Sequence, residues 1–144
     1  MPAQTVQIEI HASAGAVWRA LVDVASWPQW TRSVTGVQRL DDGPLRLGSR
    51  TRLKQPRMMP IVWEVTAFEP DREFTWVGRS PGVTTTARHL LEARPGATLL
   101  TLAIEHHGPL AGPVRRLTGK RTRTYLNLEA NGMKASSESR ADAR

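Results

Sequence analysis

The chain has 144 residues, no cysteine, and 20 Lys and Arg against 13 Asp and Glu, for a formal charge of +7. That length makes one domain able to bury a core without staples, and the missing cysteines exclude disulfides and thiolate metal sites. No apolar run approaches the roughly 20 residues of a membrane span, and no basic segment leads into an apolar one as in a secretory signal. A cytoplasmic protein with no stable membrane insertion is therefore expected. The basic residues are scattered, with no interleaved aromatic residues to stack bases, so no nucleic-acid partner is expected.

Thr5 to Ile10 alternates apolar and polar residues, the pattern of a half-buried strand. Ser13 is placed to cap a helix from Ala14 to about Leu21. In the segment that follows, Ser26 can cap a short helix with Trp27 and Pro28 in its first turn, which puts Trp27 and Trp30 on one face. Two readings stand for that pair: a plug for the end of the core, or the wall of a pocket mouth. A weaker strand runs from Ser33 to Leu40, and Asp41 to Pro44 is a turn. From Gly48 to Gln55 the basic residues Arg50, Arg52 and Lys54 alternate with Thr51, Leu53 and Gln55, which places Gln55 on the inner side. Pro56 to Pro60 forms a loop carrying Met58 and Met59, adaptable apolar residues suited to a lip.

From Ile61 onward the turns around Pro70, Gly82 and Gly96 join successive strands as a meander. Pairing outward from these turns gives one inner face. It carries Ile61, Trp63, Val65 and Ala67, then Phe74, Trp76 and Gly78, then Thr85, Ala87, His89 and Leu91, then Leu100, Leu102, Ile104 and His106. In that register His89 lies opposite Leu102, His106 lies opposite Thr85, and the rings of Trp63 and Trp76 approach each other.

Gly108-Pro109 and Gly112-Pro113 break the sheet and open a long helix from about Pro113 to Ser139. Val114, Leu117, Arg121, Thr124, Tyr125, Leu128, Asn131, Gly132 and Ala135 recur at helical spacing and define the expected inward stripe. The stripe is too polar for tight packing on a sheet. It suggests a helix leaning on a curved sheet across a gap that a ligand fills. His89 and His106 are the titratable groups of the inner face, able to exchange protons near neutral pH or to serve as buried hydrogen-bonded histidines. Arg121 could pair with a carboxylate, enolate or phosphate of a ligand or reach out to the rim, while Tyr125, Thr85 and Gln55 offer neutral polar contacts. Arg115, Arg116, Lys120 and Arg123 lie off the stripe, either as a solvated face or as an interaction surface for an anionic partner. No phosphate loop, metalloprotease motif, nucleophile elbow or clustered ligand set occurs, so no cofactor and no metal is expected.

The order of elements, together with Ala14 to Trp18, Asp23 to Trp30, Trp63 to Thr66, Phe68-Glu69-Pro70, Phe74-Thr75-Trp76, His89, Gly96-Ala97-Thr98 and Gly108-Pro109-Leu110, resembles the helix-grip fold of the START and pollen-allergen superfamily. Within it the chain is similar to the SRPBCC group that includes polyketide cyclase/dehydrase-like proteins, many of them bacterial. The resemblance implies an α+β domain in which a curved antiparallel sheet of about seven strands wraps a long C-terminal helix, since strand twist curls so long a meander. It implies one ligand-binding domain over residues 1–140, a frayed tail over 141–144, and a monomer or homodimer. It also implies a hydrophobic or aromatic small molecule, lipid or polyketide-like, held between sheet and helix. The alternatives are a cofactor-free polyketide aromatase/cyclase or dehydratase, with His89, Arg121 and Tyr125 as candidate catalytic residues, and an interaction module using the basic helix face. The expected ligand-binding residues are Trp27, Trp30, Gln55, Met58, Trp63, Val65, Phe74, Trp76, Thr85, His89, Leu102, Ile104, His106, Leu117, Arg121, Tyr125 and Leu128.

Overall fold

The structure, a computed structural model, describes residues 4–142. Strand β1 (Gln4–Ile10) leads into helix α1 (Ala14–Val22), a 3-10 turn (Val24–Gln29), and strands β2 (Gly36–Arg39), β3 (Arg50–Lys54), β4 (Ile61–Glu69), β5 (Glu73–Ser80), β6 (Val83–Arg94) and β7 (Ala97–His107). Helix α2 (Ala111–Asp142) closes the fold. The sheet runs β1-β7-β6-β5-β4-β3-β2, with every neighbouring pair antiparallel. A meander places consecutive strands side by side, and only β1 crosses, to pair with β7.

Local chemistry sets the ends of α1. The Ser13 hydroxyl accepts from the Ala16 amide at 3.2 Å, satisfying one of the donors a helix start leaves orphaned. The helix buries Ala16, Val17, Trp18, Ala20 and Leu21 against the sheet. The 3-10 turn begins at Val24, earlier than expected from Ser26. Asp23 sits before it and accepts from the Ser26 hydroxyl at 2.8 Å. Trp27 then drops into the core, 1 % exposed, with its indole N–H donating to the Leu21 carbonyl at 3.1 Å. The expected strand over Ser33 to Leu40 shrinks to Gly36–Arg39.

The strand register follows the alternation, with one departure. His89 pairs with Leu102, and Thr85 with His106. Between Val65 and Ala67 a bulge inserts one extra residue, so that Val65 pairs with Trp76 but Ala67 pairs with Thr75. Ala67 therefore leaves the inner face, and Phe68 takes that place, pairing with Phe74 and meeting Trp18 edge-on at 5.3 Å between ring centroids.

Helix α2 starts at Ala111, with Pro113 inside its first turn, and continues beyond the expected Ser139 to Asp142. Residues 143 and 144 of the expected frayed tail lie outside the described residues. The C-terminal half anchors the helix. Ala130, Met133 and Ser137 are buried there, Lys134 donates to the Glu9 carbonyl at 3.2 Å, and the Glu138 carboxylate accepts from the His11 amide at 2.8 Å. Lys134 and Glu138 also form an ion pair one turn apart.

Gly132 fixes how closely this half approaches. A Cβ there would lie 2.3 Å from the Trp30 carbonyl oxygen and 2.6 Å from Trp30 Cε3. Gly→Ala inside a helix normally gains about 1 kcal/mol. Here the added methyl must push backbone apart, so Gly132→Ala is expected to destabilise by about 1–3 kcal/mol in urea unfolding. A stabilised variant would mean that the helix does not pack this tightly.

Candidate functional site

Between the concave face of the sheet and the N-terminal half of α2 lies a cavity of about 190 Å³. The sheet contributes Trp63, Trp76, Thr85, His89, Ile104 and His106, and the helix contributes Val114, Thr118, Thr122, Leu126 and Glu129. Trp27 closes the inner end, and Gln55 and Met58 come from the β3–β4 loop. The site can form because the inner face of this half of α2 is short and polar-edged. Threonines project less than leucines would, and the gap stays open.

The aromatic wall is continuous. Trp63 and Trp76 lie 5.7 Å apart between ring centroids, Trp27 and Trp76 meet edge-on at 5.4 Å, and Phe74 stacks on His89 at 4.3 Å with 15° between planes. His89 is 3 % exposed and bonded at both nitrogens. Its Nδ1 lies 2.9 Å from the Phe74 carbonyl oxygen, which can only accept, so Nδ1 carries a hydrogen. Its Nε2 lies 3.2 Å from Glu129 Oε1 on α2. The contact joins an imidazole to a carboxyl group across the sheet–helix interface and beside the cavity.

His106 differs. Burial pushes its pKa below the usual value, and the nearby Arg115 charge and the adjacent His107 push it the same way, so this imidazole is neutral at neutral pH.

At the mouth, α2 reaches the β3–β4 loop. The Tyr125 hydroxyl donates to the Pro56 carbonyl, and the Arg121 guanidinium donates to the Arg57 carbonyl at 3.4 Å. Both residues line the cavity as expected, yet both also tie the loop to the helix. Losing one such bond costs about 1 kcal/mol. Tyr125→Phe should therefore speed amide exchange at residues 57–59 about fivefold while the rest of the sheet is unaffected. Unchanged loop exchange would show that the bond does not restrain the loop.

Eleven expected ligand-binding residues line the cavity: Trp27, Gln55, Met58, Trp63, Trp76, Thr85, His89, Ile104, His106, Arg121 and Tyr125. Six do not. Val65, Phe74 and Leu102 are buried at 0–2 % in the core beyond it, and Trp30 packs beside Trp27 at 5.8 Å. Leu117 is 85 % exposed, and Leu128 is half-buried away from the gap. The inward stripe is rotated by about one residue from the expected one, so Thr118 replaces Leu117 and Glu129 replaces Leu128. Glu129 carried a signal of its own: it is the sole acidic residue between Glu105 and Glu138. Among the described residues no group of three or more His, Asp and Glu is placed to hold a metal ion, and no helix is long and apolar enough to cross a membrane.

Residues 1–138 match the sequence family described as polyketide cyclase / dehydrase and lipid transport. The chain belongs to that family. Solved structures similar to this polyketide cyclase/dehydrase and lipid transport family member include the Zhui aromatase/cyclase from Streptomyces sp. R1128, at TM-score 0.75 and 16 % identity over 96 % of this chain and 94 % of that one. A protein from Thermus thermophilus aligns at TM-score 0.78 and 13 % identity over 97 % and 99 %. A START superfamily protein from Mycobacterium smegmatis aligns at 0.69 and 18 % over 98 % and 97 %. The fold is thus the helix-grip fold that the sequence resembles. No curated protein matches the chain in sequence.

Proposed function

We propose that the chain binds a hydrophobic or aromatic small molecule, lipid or polyketide-like, in the cavity between the sheet and α2. The observation that carries this reading is the gap itself, walled by Trp27, Trp63 and Trp76 and bordered by the His89–Glu129 contact. A gap of about 190 Å³ is smaller than the roughly 300–1,000 Å³ of drug-sized pockets. In this conformation it takes one ring or a small fused system. A longer chain requires the Pro56–Pro60 loop to part from Tyr125 and Arg121. Family membership supports the same ligand class.

Native mass spectrometry of the purified protein, beside its denatured extract, tests the reading, followed by thermal-shift screening of aromatic and acyl compounds. A ligand that binds only the folded state raises the unfolding temperature. No retained mass and no shift from any aromatic or acyl compound would overturn the proposal.

A second reading, a cofactor-free aromatase/cyclase or dehydratase, is favoured by the His89–Glu129 pair. An imidazole in contact with a carboxyl group beside an aromatic wall suits general acid–base work. In a dehydration the pair would take the proton from the carbon that lies between a ketone and a hydroxyl-bearing carbon; a carbon–carbon double bond forms as the carbon–oxygen bond breaks, and the proton passes to the departing hydroxyl, which leaves as water. On this reading Glu129→Gln keeps binding and loses turnover about a hundredfold or more. Equal turnover in the variant would remove the pair from the chemistry.

A further inference from the structure

We infer that the ligand carries an acidic group, held outside the cavity by Arg57, Arg79 and Arg121. This rests on the cavity-binding reading above and adds the chemical class.

A second depression, of about 560 Å³, adjoins the cavity and shares Met58, Ile61, Ser80 and Arg121 with it. The depression thus lies directly outside the apolar inner chamber, as a vestibule separated from it by these shared residues, and a ligand spanning both passes between the Pro56–Pro60 loop and α2. Arg57, Arg79 and Arg121 line the vestibule, and no Asp or Glu does. Among the described residues none of these three arginines is in an ion pair.

Three arginines lie around one hollow, and no acidic residue lining it balances their charge. An anion in the vestibule would offset it. The Arg121 side chain donates to the Arg57 carbonyl, which uses one of five N–H donors. The rest suit the forked geometry of a carboxylate or phosphate. The positive charge of Arg115, already felt at His106, adds to the field at the same end. The inner chamber has the opposite character, since its one carboxylate, Glu129, is already bonded to His89. The ligand is thus oriented with its ring inward against Trp63 and Trp76 and its acid outward.

The test is a set of naphthyl compounds of one ring size, titrated calorimetrically against the whole chain: naphthylacetic acid, its methyl ester and naphthyl phosphate. The expected result is that the acid or the phosphate binds about tenfold or more tightly than the ester, the charge-assisted contacts supplying the difference. Which of the two binds better tells carboxylate from phosphate. Added salt should shrink that preference. In Arg57→Gln/Arg79→Gln the anions should lose about tenfold and the ester less than threefold. An ester that binds wild type as well as both anions overturns the acidic-group inference and leaves the cavity reading standing. Binding by none of the three overturns the inference and counts against the cavity reading as well.

Discussion

Replacing Trp27 with alanine is expected to cost about 5 kcal/mol of folding stability, at the upper end for aromatic truncation in a core. Trp27 is 1 % exposed, and its ring meets Trp30, Trp76 and His89 within 6 Å and Phe74 at 6.4 Å. These residues lose their common neighbour, and none can collapse into the space without dragging a strand or the 3-10 turn. The Leu21 carbonyl also loses the indole N–H that satisfies it, adding about 1 kcal/mol. Against a typical total of about 5–15 kcal/mol, such a loss leaves the chain near unfolding. Urea denaturation measures it. Trp27→Phe should recover more than half the loss. A loss below about 2 kcal/mol for alanine would mean that the turn repacks freely.

His89 and Glu129 should prove strongly non-additive. In His89→Leu the Glu129 carboxylate, with 13 % of its side chain exposed, faces an aromatic wall without its donor. Removing one member of a buried pair in this way costs about 3 kcal/mol or more. Glu129→Leu is milder. The imidazole still donates from Nδ1 to the Phe74 carbonyl, and only a neutral lone pair is left facing the cavity, at about 1 kcal/mol. The double variant removes both polar groups together. It should be more stable than His89→Leu alone, with a coupling of about 2 kcal/mol between the sites. Chemical denaturation of the four proteins reads this directly. Simple additivity would show that the contact contributes nothing to the folded state.

The strands were legible because a period of two leaves little freedom where one face carries Glu64, Arg88 and Glu105 and the other carries tryptophans. A one-residue slip would have buried charge. The positions of His89 opposite Leu102 and of Trp63 near Trp76 follow from that alone. The bulge at Thr66 was not legible, since no glycine or proline marks it; the shifted pairing and the packing of Phe68 on Trp18 reveal it.

The phase of α2 was not legible either. Val114, Arg121 and Tyr125 face the cavity as expected, but the other inward positions are Thr118, Thr122, Leu126, Glu129, Ala130, Met133 and Ser137, as polar as the expected stripe. Hydrophobic periodicity does not choose between two faces so alike. Leu117 reads as inward because its side chain is apolar, and Glu129 reads as solvent-facing until its partner on another element is known.

The C-terminal half of α2 buries Met133 and Ser137, and Lys134 donates from it to the Glu9 carbonyl of β1. The half that walls the cavity is held differently, by Arg121 and Tyr125 on the β3–β4 loop and by the Gln4 amide on the Gly119 carbonyl. Over generations the two halves are therefore free to change at different rates. Substitutions at Val114, Thr118 and Thr122 can reshape the chamber while the scaffold keeps its stability margin. A lineage built on this frame can drift from one small molecule to another without passing through an unfolded ancestor.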